Sequence, residues 1–316
     1  MFSVEICAGA GGQALGLEKS GFSHLAAIEI DADACKTLRH NRPHWAVFEQ
    51  DISTFSGLSY RGAELLAGGL PCPPFSKASK QLGEADERNL FPAGLRLIDE
   101  IRPKAVMFEN VKGFLDPRFI HYRDEIQSKI QKMGYSFGIK LFNASDFGVP
   151  QLRPRVVIIA IENSISEWFE WPVPISLPPI SVGNALYSML QAKGWQQAAS
   201  WREKANSIAP TIVGGSKKHG GPDLGPTRAK QAWAAIGVDG MGIADSPPQP
   251  DFVGNPRLTV EMVARLQGFP DDWHFCGRKT SRYRQVGNAF PPPVAEAVGN
   301  QIIKALSARK IYRVAS

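Results

Sequence analysis

Phe2-Ser3-Val4-Glu5-Ile6-Cys7-Ala8-Gly9-Ala10-Gly11-Gly12-Gln13-Ala14 stands at the head of this 316-residue chain. Residues 2–7 form an apolar run of strand length, and a glycine-rich turn and a short helix follow. Gly9 to Ala14 fits Gly-x-Gly-x-x-Ala, a spacing that turns a strand tightly into a helix beneath a nucleotide. A second apolar run, residues 25–30, ends in acid, with Glu29 twenty residues after Gly9. A carboxylate there can take both hydroxyls of a ribose. NAD and an adenosine cofactor such as S-adenosylmethionine both satisfy these letters. A tight turn beside a solvated acid would satisfy them too.

Outward from this unit the alternation continues. Residues 31–41 read as a helix stopped by Pro43. Residues 64–70, 104–108 and 155–161 read as strands, and Leu95, Ile98 and Ile101 have helical spacing. Strand–helix alternation predicts an α/β fold, a mostly parallel Rossmann-like sheet covered on both faces. Near Trp171 the texture changes. Pro172, Pro174, Pro178 and Pro179 break regular structure, and six of the seven tryptophans lie at or beyond Trp168. This predicts a catalytic cofactor-binding domain over 1–171 and a smaller irregular recognition domain over 172–283. A C-terminal segment, 284–316, then returns to the first domain. Val294, Val298, Ile302 and Leu306 repeat every fourth residue there, one apolar face of a helix.

Composition narrows the class. The hydrophobic fraction of 43% and charged fraction of 21% are those of a globular protein. No apolar run reaches the roughly 18–20 residues of a membrane span. The four cysteines, Cys7, Cys35, Cys72 and Cys276, form no Cys-x-x-Cys pair, which argues against a disulfide framework or zinc site and fits a reducing cytoplasm. His40 and His44 are four apart, but Pro43 lies between them, so a surface pair is expected and no metal. The net charge of +6 is mild.

Three short strings carry chemistry. Gly69-Leu70-Pro71-Cys72-Pro73-Pro74 ends a strand at the ligand-binding edge of the sheet. Its prolines keep Cys72 out of any helix interior. Glu109-Asn110-Val111 follows the strand over 104–108, where α/β sites collect their chemistry. Gln151-Leu152-Arg153-Pro154-Arg155 precedes another strand, and its two arginines suit an anion or carbonyl clamp.

Together these strings resemble the DNA cytosine-C5 methyltransferases, and the match runs nearly the whole chain in order. Ala8-Gly9-Ala10-Gly11-Gly12 is similar to that family's first motif, Pro71-Cys72 to its catalytic Pro-Cys, and Arg88-Asn89-Leu90-Phe91 to the segment whose Leu packs on the cofactor. Glu109-Asn110-Val111, the Gln-x-Arg-x-Arg of Gln151, Arg153 and Arg155, Arg257-Leu258-Thr259-Val260-Glu261, and Gly287-Asn288-Ala289-Phe290-Pro291-Pro292 follow in register. The chain departs from the family in Glu5 for the usual Asp, Cys7 for Phe, Ile30 for an aromatic residue, and Pro73 for Gln.

The resemblance implies methyl transfer from S-adenosylmethionine to a flipped-out cytosine in double-stranded DNA, leaving S-adenosylhomocysteine. It implies Cys72 as the nucleophile on C6, Glu109 on N3 and the exocyclic amine, and Arg155, with Arg153, on O2. Cofactor contacts would come from Cys7, Ala8, Gly9, Gly11, Gly12, Glu29, Ile30, Asp51, Ile52, Pro71, Leu90, Asn288 and Phe290. Phosphate contacts would come from Ser76, Lys77, Lys80, Lys217, Lys218, Arg278 and Arg282. It further implies a monomeric bacterial enzyme in the cytoplasm at the nucleoid, with a restriction endonuclease encoded alongside rather than bound to it. Three rivals stand beside it: a tRNA methyltransferase, whose Cys-Phe-Thr triplet is absent; a non-catalytic relative, which would lose Cys or Glu; and an NAD dehydrogenase, which leaves the later motifs unexplained.

Overall fold

The computed structural model describes residues 1–71, 89–175, 178–215 and 221–315, with side chains described up to residue 308. Among the described residues, seven strands form one sheet in the order β3-β2-β1-β4-β5-β7-β6. β1 (Phe2–Ile6), β2 (Ser23–Glu29), β3 (Val47–Glu49), β4 (Leu65–Gly69) and β5 (Ala105–Val111) run parallel. β7 (Pro154–Glu162) pairs antiparallel with β5, and β6 (Tyr135–Asn143) antiparallel with β7. The mostly parallel α/β sheet read from the sequence is therefore present. β5 extends past the apolar run to include Glu109, Asn110 and Val111.

The elements begin and end for local reasons. α1 (Gly12–Ser20) starts from Gly11, whose φ of 86° is left-handed backbone that a side chain would strain. α2 (Ala32–Asn41) is capped by Asp31, whose carboxylate accepts from the amides of Asp33 and Ala34 at 3.0 and 3.2 Å. α3 (Phe91–Ile101) buries Leu95, Ile98 and Ile101 against one sheet face, and α4 (Ile120–Lys132) adds Ile126 and Ile130 to the same core.

On the opposite face, α1 packs along the C-terminal α10 (Pro292–Ala315). The approach is close: a Cβ at Gly12 would stand 2.2 Å from the Phe290 carbonyl oxygen, and one at Gly16 2.3 Å from that of Pro292. Val294, Val298, Ile302 and Leu306 are all buried there, as the four-residue repeat requires.

Between these elements lie α5 (Val182–Leu190), α6 (Ala198–Lys204), α7 (Thr227–Ala235), α8 (Val260–Leu266) and α9 (Lys279–Asn288). Their core is built on Trp195, Trp201 and Trp233. It is continuous with Ala14, Leu15, Leu38 and Trp45 of the first half. No helix among the described residues is long and apolar enough to cross a membrane.

Candidate active site and cofactor cavity

The carboxyl ends of β1, β2, β4 and β5 open onto a cavity of about 570 Å³, within the range of small-molecule sites. Its floor is the turn after β1. The Ala8 amide donates to the Ile28 carbonyl at 3.0 Å, so the ladder continues past the strand, and the Gly11 amide closes the turn on Ala8 at 3.0 Å. The Trp273 indole donates to the Ala10 carbonyl at 3.1 Å and covers the turn from outside.

Glu29 is nearly buried at the end of β2. One carboxylate oxygen accepts from the Gly9 amide at 2.7 Å, the other from the Asp31 amide at 2.8 Å. Burial raises its pKa, and the backbone amides oppose the rise. Asp51 accepts from the Ser53 amide at 2.8 Å. Twelve of the thirteen residues expected to meet a cofactor line this cavity: Cys7, Ala8, Gly9 and Gly12 from the turn; Glu29 and Ile30 after β2; Asp51 and Ile52 after β3; Pro71, Leu90, Asn288 and Phe290 from later segments. Gly11 instead faces Leu38 and Trp273.

Glu109 reaches the same cavity from β5. In the β5–β7 register Arg155 stands opposite Val111, diagonal to Glu109 on the same face. Arg155 Nε lies 2.8 Å from Glu109 Oε1, with both side chains about one-tenth exposed. Burial raises the Glu109 pKa, while Arg155 and then Arg153 pull it down. Next to Glu109, the Asn110 amide donates to the Leu70 carbonyl at 3.0 Å, fixing the backbone one residue before Pro71. Cys72 itself lies outside the described residues, as do Ser76, Lys77, Lys80, Lys217 and Lys218.

The two arginines of Gln-x-Arg-x-Arg have different surroundings. Arg153 is fully buried, and its guanidinium donates to the carbonyls of Ile212 at 2.8 Å, Gly287 at 2.8 Å and Ala289 at 3.0 Å. Gln151 joins this lattice, donating to Gln267 Oε1 at 2.6 Å and accepting from the Ile212 amide at 2.9 Å. Arg153 thus ties three distant segments together, whereas Arg155 meets Glu109. Of the expected phosphate contacts, Arg278 is exposed just before α9, and Arg282 is ion-paired with Glu261.

Of the basic run Arg278, Lys279, Arg282 and Arg284, which the sequence offers as phosphate contacts, Arg284 lines the cavity instead, with other residues to which the sequence gives no role there. Arg284 pairs with Asp31 at 3.4 Å, and both line the cavity beside Gln13, Gln50 and Gln285. Gln285 is positioned by Thr37, whose hydroxyl donates to it at 2.7 Å. Glu5, noted in the sequence only as a substitution for Asp, is fully buried in the wall. Arg284 and Gln285 reach the cavity from α9. Among the described residues, no group of three or more His, Cys, Asp or Glu is placed to hold a metal.

The solved structures that this fold resembles include an Escherichia coli prophage protein described as a candidate DNA modification methyltransferase. Its TM-score is 0.71 at 23% identity, covering 97% of this chain and 99% of that one. A DNMT2 variant from Spodoptera frugiperda gives 0.66 at 19% identity, covering 96% and 99%. Sequence likeness is much higher to the Type II methyltransferase M.NaeI of Lentzea aerocolonigenes, 56% identical over 310 residues, covering 96% of this chain and 75% of that protein. The Type II methyltransferase M.NgoMIV of Neisseria gonorrhoeae is 55% identical over 307 residues, covering 96% and 97%. A family model for C-5 cytosine-specific DNA methylases matches residues 1–304, and a match of that breadth makes the chain a member of that family, a DNA cytosine-5 methyltransferase.

Proposed function

We propose that the cavity binds S-adenosylmethionine and that Cys72 carries the chemistry on a cytosine flipped out of duplex DNA. The observation that supports this most is the Glu109–Arg155 pair beside the Pro71 strand end. It offers an acid and a guanidinium together at the one edge where a base could meet the cofactor cavity. The cavity's own chemistry fits the cofactor. Among the described residues, the acids Glu29, Asp31 and Asp51 line it against one cation, Arg284. That excess of acid suits a cationic sulfonium and opposes the pyrophosphate of NAD. Glu29 and Asp51 would hold the ribose and the adenine amine.

The cofactor, when bound, supplies an electrophilic methyl group. Cys72 as thiolate adds to C6 of the cytosine, and the displaced ring electrons make C5 nucleophilic. Glu109, whose protonated form burial favours against the pull of Arg155 and Arg153, donates its proton to N3 as that charge develops. Arg155 holds O2. After C5 has gained the methyl group, N3 returns its proton to Glu109, the C5 proton leaves to a base, the C5–C6 double bond re-forms and Cys72 departs as thiolate. Residues 172–283 would read the DNA sequence in the major groove, and Arg278 is free to meet a phosphate. Kinship with two Type II methyltransferases supports a modification enzyme of a restriction-modification system, and the reading extends to a monomer in the cytoplasm.

A duplex with 5-fluorocytosine at the target position tests the chemistry, because its C5 fluorine cannot leave as a proton does. The expected result is a covalent complex whose peptide map places the adduct on Cys72. An adduct on Cys7, Cys35 or Cys276 would overturn the assignment.

A further inference from the structure

Among the described acids of the cavity wall, the chemistry above gives no role to Glu5 or Asp31, and Asp31 is already paired with Arg284. Glu5 sits in the middle of β1, between Ala27 of β2 and Ala67 of β4. It is fully buried, and neither carboxylate oxygen has a hydrogen-bond partner. A buried carboxylate without donors is costly to keep charged, so the group holds its proton instead. Burial pushes its pKa up to about 8, against a smaller contribution from the Ala14 backbone.

The groups around it reinforce this. The Cys7 thiol, just past the end of β1, is pushed upward by burial and by the nearby carboxylates Glu29 and Asp51, so it offers Glu5 no counter-charge. Across the cavity stand Glu29, Asp31, Asp51 and Glu109, with Arg284 already beside Asp31. His24 of β2 is engaged with the Ser3 hydroxyl and the Ala14 carbonyl at 2.9 Å each, and burial holds it toward its neutral form. Among the described residues lining the cavity, no lysine or arginine other than Arg284 is available to Glu5.

We propose that Glu5 is a cofactor-binding residue that is neutral in the empty cavity and gives up its proton when a cationic group of the cofactor enters, so that cofactor binding releases a proton. This rests on the reading that the cavity takes S-adenosylmethionine. Two groups of that molecule share the required chemistry, the α-ammonium and the sulfonium. Binding then strengthens as pH rises, up to about ten-fold per pH unit while the empty protein holds the proton and the complex does not. Near pH 8 the empty protein ionises by itself and the gain levels off.

Calorimetric titration of the full chain in buffers of different ionisation enthalpy counts the protons released. With S-adenosylmethionine at pH 7, wild type is expected to release close to one proton. Glu5→Gln should release markedly fewer and lose the pH dependence of affinity, while Glu5→Asp, which keeps a carboxyl group, should restore both. Release with S-adenosylhomocysteine as well assigns the ammonium, since that molecule lacks the sulfonium charge; release with S-adenosylmethionine alone assigns the sulfonium. Binding whose heat is independent of buffer in wild type, or proton release undiminished in Glu5→Gln, overturns the proposal. If Glu5→Gln does not fold, the wild-type count and the Glu5→Asp profile decide it. Absence of any binding heat would instead strike at the cofactor reading itself.

Discussion

The sheet half and the region over 172–288 build their cores by different means. In the first, parallel ladders satisfy the backbone, and side chains are free to line a cavity at the strand ends. In the second, helices are short, and side chains complete the backbone's hydrogen bonding. The Trp195 indole donates to the Phe252 carbonyl at 2.8 Å, and that of Trp201 to the Gly237 carbonyl at 2.7 Å. Regular structure fixes chemistry to fractions of an ångström, since a strand end cannot shift without its neighbours. Irregular structure held by side chains can change its loops while keeping its core, which suits a surface that must differ between DNA targets.

The largest break in this comparison is a transplant. Residues 172–283, placed in a family member of different target sequence, should carry their own target with them, read by bisulfite sequencing of the modified DNA. A folded, active chimera that keeps the host's target would deny the division of labour.

Next in size is the contrast between two arginines two residues apart. Arg153→Ala removes the donor shared by the Ile212, Gly287 and Ala289 carbonyls. It should destabilise by about 3–5 kcal/mol in urea unfolding, the scale for breaking a buried charged network. Arg155→Ala should spare most of the stability and instead depress kcat. It should also move the alkaline limb of the residual rate to higher pH. Arg155 pulls the Glu109 pKa down, so without it burial acts less opposed and Glu109 keeps its proton longer. Equal unfolding midpoints for the two variants would erase the distinction.

The smallest effect belongs to Trp201→Phe. It leaves the buried Gly237 carbonyl without its indole donor and should cost about 1–2 kcal/mol, with cofactor affinity unchanged. A drop in affinity would mean that the second core and the cavity are mechanically one.

Much of the first half was legible because burial there has a period. Runs such as Val156 to Ile161 can only be a covered strand. What escaped notice lacked that signal. β3 has three residues, too few for any pattern. α4 buries only Ile126 and Ile130 inside an otherwise polar stretch. β6, an edge strand, alternates weakly through Gly138 and Lys140. The cavity residues followed from ordered motifs wherever a strand end supplied them. Arg153 and Arg155 could not be told apart by letters, because two positions in one strand-like segment share a face until the partner segments are known. Glu5 could be seen as unusual, but its missing partners are a fact of three dimensions.

The close seating of Phe290 on Gly12 carries a consequence for how the protein is made. The turn over 8–12 is made before the segment over 284–290, with about 270 residues between them. At about 5–20 residues per second, roughly a quarter-minute to a minute separates them. Throughout that interval the nascent chain has the floor of its cavity without the opposite wall, and one face of its sheet waits for α10.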